Sequence, residues 1–340
     1  MTSEELIKDI HTLARDLGDV RLMEVCGGHT NTIMRFGLRD VLPSNIKLVS
    51  GPGCPVCVTS QYDIDCIIAL ALSGVPVATY GDMIKVPGTR MSLADTANVG
   101  ADIKTIYSID QIIEDRNRVF FAVGFETTTP MTAKLLERGI TVFSAHKVMP
   151  PAMRMLSDEM DIDGFLDPGH VSTIIGSDIW ETLDIDVPQV ISGFKPDQLL
   201  HGIYLLLDMI RNKKTGVIND YPEVVFPQGN LIARGLIEKH LKPEHAEWRG
   251  MGFIPKSGLA PVEPKLDARL VYADLFKDVI SEENVDCRCG EIVKGLVEPS
   301  DCPLFGTACT PENPQGACMV SESEGACAIA YKYGRSLSQT

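Results

Sequence analysis

Ten cysteines carry the most informative chemistry of this 340-residue chain. Cys26 begins the run Cys26-Gly-Gly-His29-Thr30. Cys54 and Cys57 flank Pro55-Val56, directly after Gly51-Pro52-Gly53. Six more, Cys287, Cys289, Cys302, Cys309, Cys318 and Cys327, lie close to the C-terminus. Thiolates are favoured ligands of iron–sulfur clusters, zinc and low-valent iron. A C-x-x-C pair on a glycine-proline loop is also a usual layout for dithiol–disulfide exchange. The residue types therefore point to soft-metal binding combined with thiol redox.

The C-terminal series reads C-x-C-x12-C-x6-C-x8-C-x8-C. A 4Fe–4S cluster needs four thiolates, and more than four are present. Zinc sites commonly show paired C-x2-4-C knuckles, which this tail lacks. Buried free thiols or structural disulfides are the plain alternative, and spacing alone does not say which cysteines bind. For Cys54 and Cys57, a helix beginning near Cys57 would favour thiolate; a zinc half-site or core thiols are the rivals. Cys26 ends a strand-like segment, where α/β folds bind ligands. His29 is a candidate ligand, proton donor or hydrogen-bond partner of a bound anion, against a Cys–His nucleophile or a structural histidine. Gly124-Phe-Glu126-Thr-Thr-Thr-Pro130 is a hydroxyl-rich loop ahead of a helix, suited to anions or to plain capping, and Glu126 would be a carboxylate at a strand end. It lacks the Gly-Lys-Ser/Thr of a phosphate-binding loop. Asp167-Pro-Gly-His170 is similar in placement, with His170 read as structural. His11, His146, His201, His240 and His245 sit in no motif.

The elements that must hold these residues alternate. A helix is expected over Ser3–Leu17, with Ser3 as its cap. Strands are expected over 21–25, 46–49, 75–79, 119–123, 140–143, 164–166 and 190–194, with helices between them, among them 32–36, 62–72 and 131–138. Short apolar strands alternating with helices imply parallel sheets covered on both faces. The expected organisation is an N-terminal helix (1–18), two similar parallel-sheet α/β domains around a cleft (19–115 and 116–212), and a C-terminal iron–sulfur domain (213–340). A helix over 231–240 and a loop over 248–264 are expected within the last part. Few apolar side chains follow residue 285, so the tail needs a metal or disulfides to hold it.

Lys and Arg number 31 against 46 Asp and Glu, a net charge of −15. This argues against binding nucleic acid or an anionic membrane. The first twenty residues lack an apolar signal region, and no apolar run near the N-terminus is long enough to span a bilayer. The chain is expected in the cytoplasm, where thiols stay reduced and serve metals or catalysis.

Taken together, Met23-Glu-Val-Cys-Gly-Gly-His-Thr30, Gly51-Pro-Gly-Cys-Pro-Val-Cys57, Gly124-Phe-Glu-Thr-Thr-Thr-Pro130, Asp167-Pro-Gly-His170 and the C-terminal cysteines resemble the HypD family of hydrogenase maturation factors, in order and across essentially the whole chain. The resemblance implies a scaffold on which the Fe(CN)2(CO) centre of nickel–iron hydrogenases is built, with partner HypC and cyanide from HypE. It implies that Cys26 binds the iron in transit, jointly with a thiolate of the partner, and that Cys54 and Cys57 are the exchange pair. It implies a 4Fe–4S cluster on Cys287, Cys302, Cys309 and Cys327, with Cys289 and Cys318 as an accessory thiol pair. His29 and Glu126 would line the iron cleft. Two rival readings are a thioredoxin-like oxidoreductase with a structural cluster, and an acyl-transfer enzyme using Cys26 and His29.

Overall fold

Eleven strands are present among the described residues: β1 Val20–Glu24, β2 Ile46–Ser50, β3 Val77–Tyr80, β4 Ile103–Ile106, β5 Val119–Ala122, β6 Val142–Ser144, β7 Gly164–Pro168, β8 Pro188–Ser192, β9 Gly216–Asn219, β10 Leu241–Trp248 and β11 Gly252–Pro261. The structure is a computed structural model and describes residues 2–337. One parallel sheet has the order β2-β1-β7-β8-β9, a second has β4-β3-β5-β6, and β10 pairs antiparallel with β11. Strands β5 and β8 are buried throughout, as expected for parallel strands covered on both faces.

The two sheets are built alike. In the first, the chain steps from β1 outward to β2, then resumes on the other side of β1 with β7. In the second it steps from β3 to β4, then resumes beside β3 with β5. The order reverses between β1 and β7 and between β3 and β5. Such reversals open a crevice at the carboxyl ends of the strands, where open α/β sheets bind ligands. Cys26 follows β1, and Gly124-Phe125-Glu126 follows β5.

The expectation of two similar parallel α/β units holds, but the sequence assigns the strands to them differently. The expected boundary at 115/116 falls between β4 and β5, two members of one sheet, and the boundary at 212/213 precedes β9, a member of the first. The second sheet is an insertion between β2 and β7. Edge strands β4 and β9 are only partly buried, so neither shows a clear apolar run. Residues 248–264 are not a loop: most belong to the hairpin β10–β11, which the flanking glycines and prolines disguise. The helix after Cys26 begins at Gly27 instead of residue 32.

The first helix, Ser3–Ala14, is capped by Thr2, not Ser3: the Thr2 hydroxyl accepts from the Glu5 N–H, and Glu5 reaches back to the Thr2 N–H. It buries Leu6, Ile10, Leu13 and Ala14 against the helix Pro196–Arg211 on the first sheet. The tail joins the main core instead of standing apart. Cys289, Ile292, Val293, Cys302, Cys309, Ala317 and Met319 belong to the same buried cluster as Met23, Val25 and Val49 of the first sheet. Among the described residues, no helix is long and apolar enough to cross a membrane.

Candidate functional site

Cys26 is the extended residue that caps the helix Gly27–Arg35. The local sequence leaves little room. A Cβ on Gly53 would lie 2.4 Å from the Cys26 nitrogen, so the glycine-proline loop can press its backbone onto Cys26. The Gly27 N–H donates to the Gly53 carbonyl at 2.9 Å and clamps the two segments together. A Cβ on Gly27 would collide with Glu324. These glycines let three stretches distant in sequence meet around one sulfur.

The Cys26 thiol is buried and pushed up to about 12. Burial is the largest cause, and the Glu324 carboxylate adds to it; the N–H groups of Gly28 and His29 oppose it too weakly to win. Glu24 accepts from the Cys26 N–H at 3.1 Å and from the Thr30 hydroxyl, and burial raises its carboxyl to about 7. Glu324, also raised to about 7 by burial, feels Asp82, which follows β3. Asp82 in turn accepts from the Ser321 hydroxyl at 3.2 Å. Glu324 thus stands between the carboxyl edge of the first sheet, at Cys26, and that of the second, at Asp82. Neither acid lies in a motif. The adjacency of Glu324 to the Gly325-Ala326-Cys327 run is the only sequence signal for it.

His29 is fully buried, and burial lowers its imidazole to about 4, so it is neutral at pH 7. Nε2–H donates to the Ser192 carbonyl at 3.3 Å; Nδ1 is buried without a partner among the described residues. In this tautomer the free nitrogen accepts a hydrogen bond; it does not donate one. The ring lies 4.9 Å from that of Phe194, against which His170 stacks at 3.8 Å. Asp167, at the end of β7, is fully buried with both carboxyl oxygens unpartnered among the described residues, and burial holds its carboxyl well above the usual range. Asp167 and His170 therefore join the Cys26 edge. Glu126 is on the other sheet. Its Oε1 accepts from the Met149 N–H at 2.9 Å, its Oε2 is buried and unpartnered, and burial raises it to about 7. It opens onto a largely apolar cavity lined by Val148, Pro150, Pro151, Ile174 and Ile237, with neither Cys26 nor His29 in the wall.

Cys54 and Cys57 are joined as a disulfide with their Cα atoms 5.3 Å apart. The helix between them, Pro55–Val58, is a single turn ended by extended Thr59; a new helix, Gln61–Leu72, starts after the Ser60 cap. One turn carries little dipole, so the helix-dipole activation expected from sequence has a weak source here. The turn packs against two tail segments: the short helix Cys289–Val293 and the 3-10 turn Ala317–Met319, which contains Cys318.

All six tail cysteines line one small apolar cavity of about 10 Å³, together with Ile292, Phe305 and Met319. The Cys318 thiol donates to the Cys289 carbonyl at 4.0 Å, and the neighbouring thiol of Cys289 helps to raise that of Cys287. Cys309 accepts from the Gln315 N–H at 3.3 Å. Among the described residues, no three His, Cys, Asp or Glu side chains are gathered as a ligand set for a single metal ion. A four-iron cluster takes one thiolate per iron, so its ligands stand apart around a body. Six sulfurs around one apolar cavity fit that donor set, with Cys289 and Cys318 both buried in its wall.

Comparison with known proteins places the chain in a family. A family model described as HypD, "Hydrogenase formation hypA family", matches residues 1–334. Hydrogenase maturation factor HypD2 of Bradyrhizobium diazoefficiens is 41% identical over 97% of this chain and 93% of its own. Hydrogenase maturation factor HypD of Azotobacter vinelandii is 40% identical, covering 98% and 94%. That of Escherichia coli is 39% identical, covering 92% and 89%. The chain belongs to the HypD family of hydrogenase maturation factors.

Proposed function

We propose that this chain is the scaffold on which an Fe(CN)2(CO) unit is assembled for a nickel–iron hydrogenase, with Cys26 holding the iron. The observation that carries the reading is the convergence of sulfur. The Gly53 backbone lies on Cys26, and the Cys54–Cys57 turn lies against the segments that carry Cys289 and Cys318. A cysteine protonated at neutral pH gives up its proton when a cation binds, so iron loading at Cys26 would release a proton, with Glu24 and Glu324 close enough to take it. HypC would supply a second thiolate and HypE the cyanide.

Cyanide bound to a carrier sulfur leaves when the S–C bond takes up two electrons, giving thiolate and cyanide. The dithiol of Cys54 and Cys57 supplies two electrons and two protons as it closes to the disulfide; one proton neutralises the carrier thiolate, and the other is lost to solvent as cyanide passes to the iron as an anion. Cys287, Cys302, Cys309 and Cys327 would hold a 4Fe–4S cluster, which supplies single electrons when bound. The packed rings of His29, Phe194 and His170 would exclude water from the iron ligands.

The test is an anaerobic infrared spectrum of the protein copurified with HypC. Nitrile and CO stretches are expected, and they should vanish in Cys26→Ala. Wild-type complex without either stretch would refute the scaffold role. Full hydrogenase maturation with Cys26→Ala but none with Cys54→Ala would favour the thioredoxin-like alternative.

A further inference from the structure

Arg249 lies at the tip of the β10–β11 hairpin and is 6% exposed. Its backbone N–H donates to the Val58 carbonyl at 2.9 Å, and Nε donates to the Thr59 carbonyl at 3.2 Å. Nη1 donates to Gln61 Oε1 at 3.1 Å and to Glu283 Oε1 at 3.2 Å. Nη2 is buried and has no partner among the described residues. The next residue, Gly250, has φ +73°, and a Cβ on it would lie 2.4 Å from the Gly290 Cα, one residue beyond Cys289. The hairpin tip is therefore wedged between the segment leaving the Cys54–Cys57 turn and the segment carrying Cys289.

A buried guanidinium needs negative charge to offset its desolvation. Glu283, its one carboxylate partner, has a half-exposed side chain, so water screens that pair. On its other side the hairpin tip meets the tail, where Gly250 presses on Gly290, the residue after Cys289. Arg249 also shares with Cys287 and Cys289 the wall of an open polar cavity, so both sulfurs border the same space as the arginine.

We infer that Arg249 is the fixed counter-charge of the sulfur cavity, a positioning residue whose guanidinium faces the tail thiolates and sets the potential at which a cluster held there accepts an electron. This rests on the cluster assigned to the tail under the proposed function. Four thiolates leave such a cluster negatively charged, and reduction adds another negative charge, so a nearby buried cation favours the reduced state. The same residue ties the exchange turn to the tail through Val58, Thr59 and Gln61, so it fixes the relative placement of the two sulfur groups as well as their field.

The test is a redox titration of the anaerobically reconstituted full-length protein, followed by its visible and electron paramagnetic resonance signals. Arg249→Gln should move the cluster midpoint to more negative potential, and Arg249→Lys, which keeps the charge, should restore most of the shift. Glu283→Gln removes the screening carboxylate and should move the midpoint the opposite way. Cluster-loaded Arg249→Gln with an unshifted midpoint would overturn the inference. If that variant does not load, an unshifted Glu283→Gln overturns it instead. Wild type that binds no cluster would sink the proposed function as well, whereas a normal cluster with unshifted variants sinks this inference alone.

Discussion

Replacing Gly53 by alanine tests the contact on which the site depends. The added Cβ would stand 2.4, 2.5 and 2.6 Å from the N, Cα and C atoms of Cys26, whereas ordinary contact begins at 3.4 Å. The obstacle is backbone, which cannot swing aside as a side chain can, so one segment must retreat by about 1 Å. That movement breaks the 2.9 Å hydrogen bond from Gly27 to Gly53. Overpacking of this kind costs about 1–3 kcal/mol, and a lost hydrogen bond about 1 kcal/mol more. For a 340-residue chain, at about 2.1 cal/mol/K of unfolding entropy per residue, roughly 3 kcal/mol corresponds to a fall in Tm of about 4 °C. The assay is thermal unfolding alongside the rate at which iodoacetamide labels Cys26, resolved by peptide mass. Gly53→Ala should unfold earlier and label faster, because Cys26 is only 8% exposed while the loop covers it. Gly18→Ala is the control, since nothing lies within 4 Å of its Cβ. Unchanged Tm and labelling in Gly53→Ala would refute the argument that this loop clamps Cys26.

Three further outcomes follow from buried charge. His146 donates from Nδ1–H to the Gly124 carbonyl at 3.0 Å, its Nε2 accepts from the Thr132 hydroxyl at 2.8 Å, and burial lowers it to about 4 from an ordinary 6.5. Its contribution is full above pH 6.5 and is lost as pH falls toward 4, up to about 3 kcal/mol; urea midpoints at pH 7.5 and 5 should therefore differ less in His146→Gln than in wild type. Asp63 accepts from Arg269 at 2.6 Å and lies 3.7 Å from the Lys147 ammonium, itself 2% exposed; Asp63→Ala strands two cations and should cost about 3–5 kcal/mol in chemical denaturation. Asp167, with its raised carboxyl, weakens the fold as pH rises above the ordinary aspartate range, so Asp167→Asn should be more stable than wild type at pH 7, and a less stable variant would show that the buried carboxylate has a partner-like environment after all.

Burial explains which parts of the fold could be read locally. Strands β5 and β8 are covered on both faces and announce themselves as apolar runs. Edge strands β4 and β9 face water on one side and carry no such run. Strand partnership is not a local property: β7 lies beside β1, with more than a hundred residues between them, because an entire second sheet is inserted.

For the site, the sequence alone determined the reactive atoms. Cysteine sulfur in such spaced motifs has few roles besides metal binding and thiol exchange. Tertiary structure alone decided the acids and the cation around those sulfurs. Charged residues make up 23% of the chain, so Glu24, Glu324 and Arg249 look like any surface charge until folding takes them largely out of water. Desolvation is what turns them from solvated side chains into fields acting on thiols, and desolvation is a property of the packed molecule, not of any stretch of its chain.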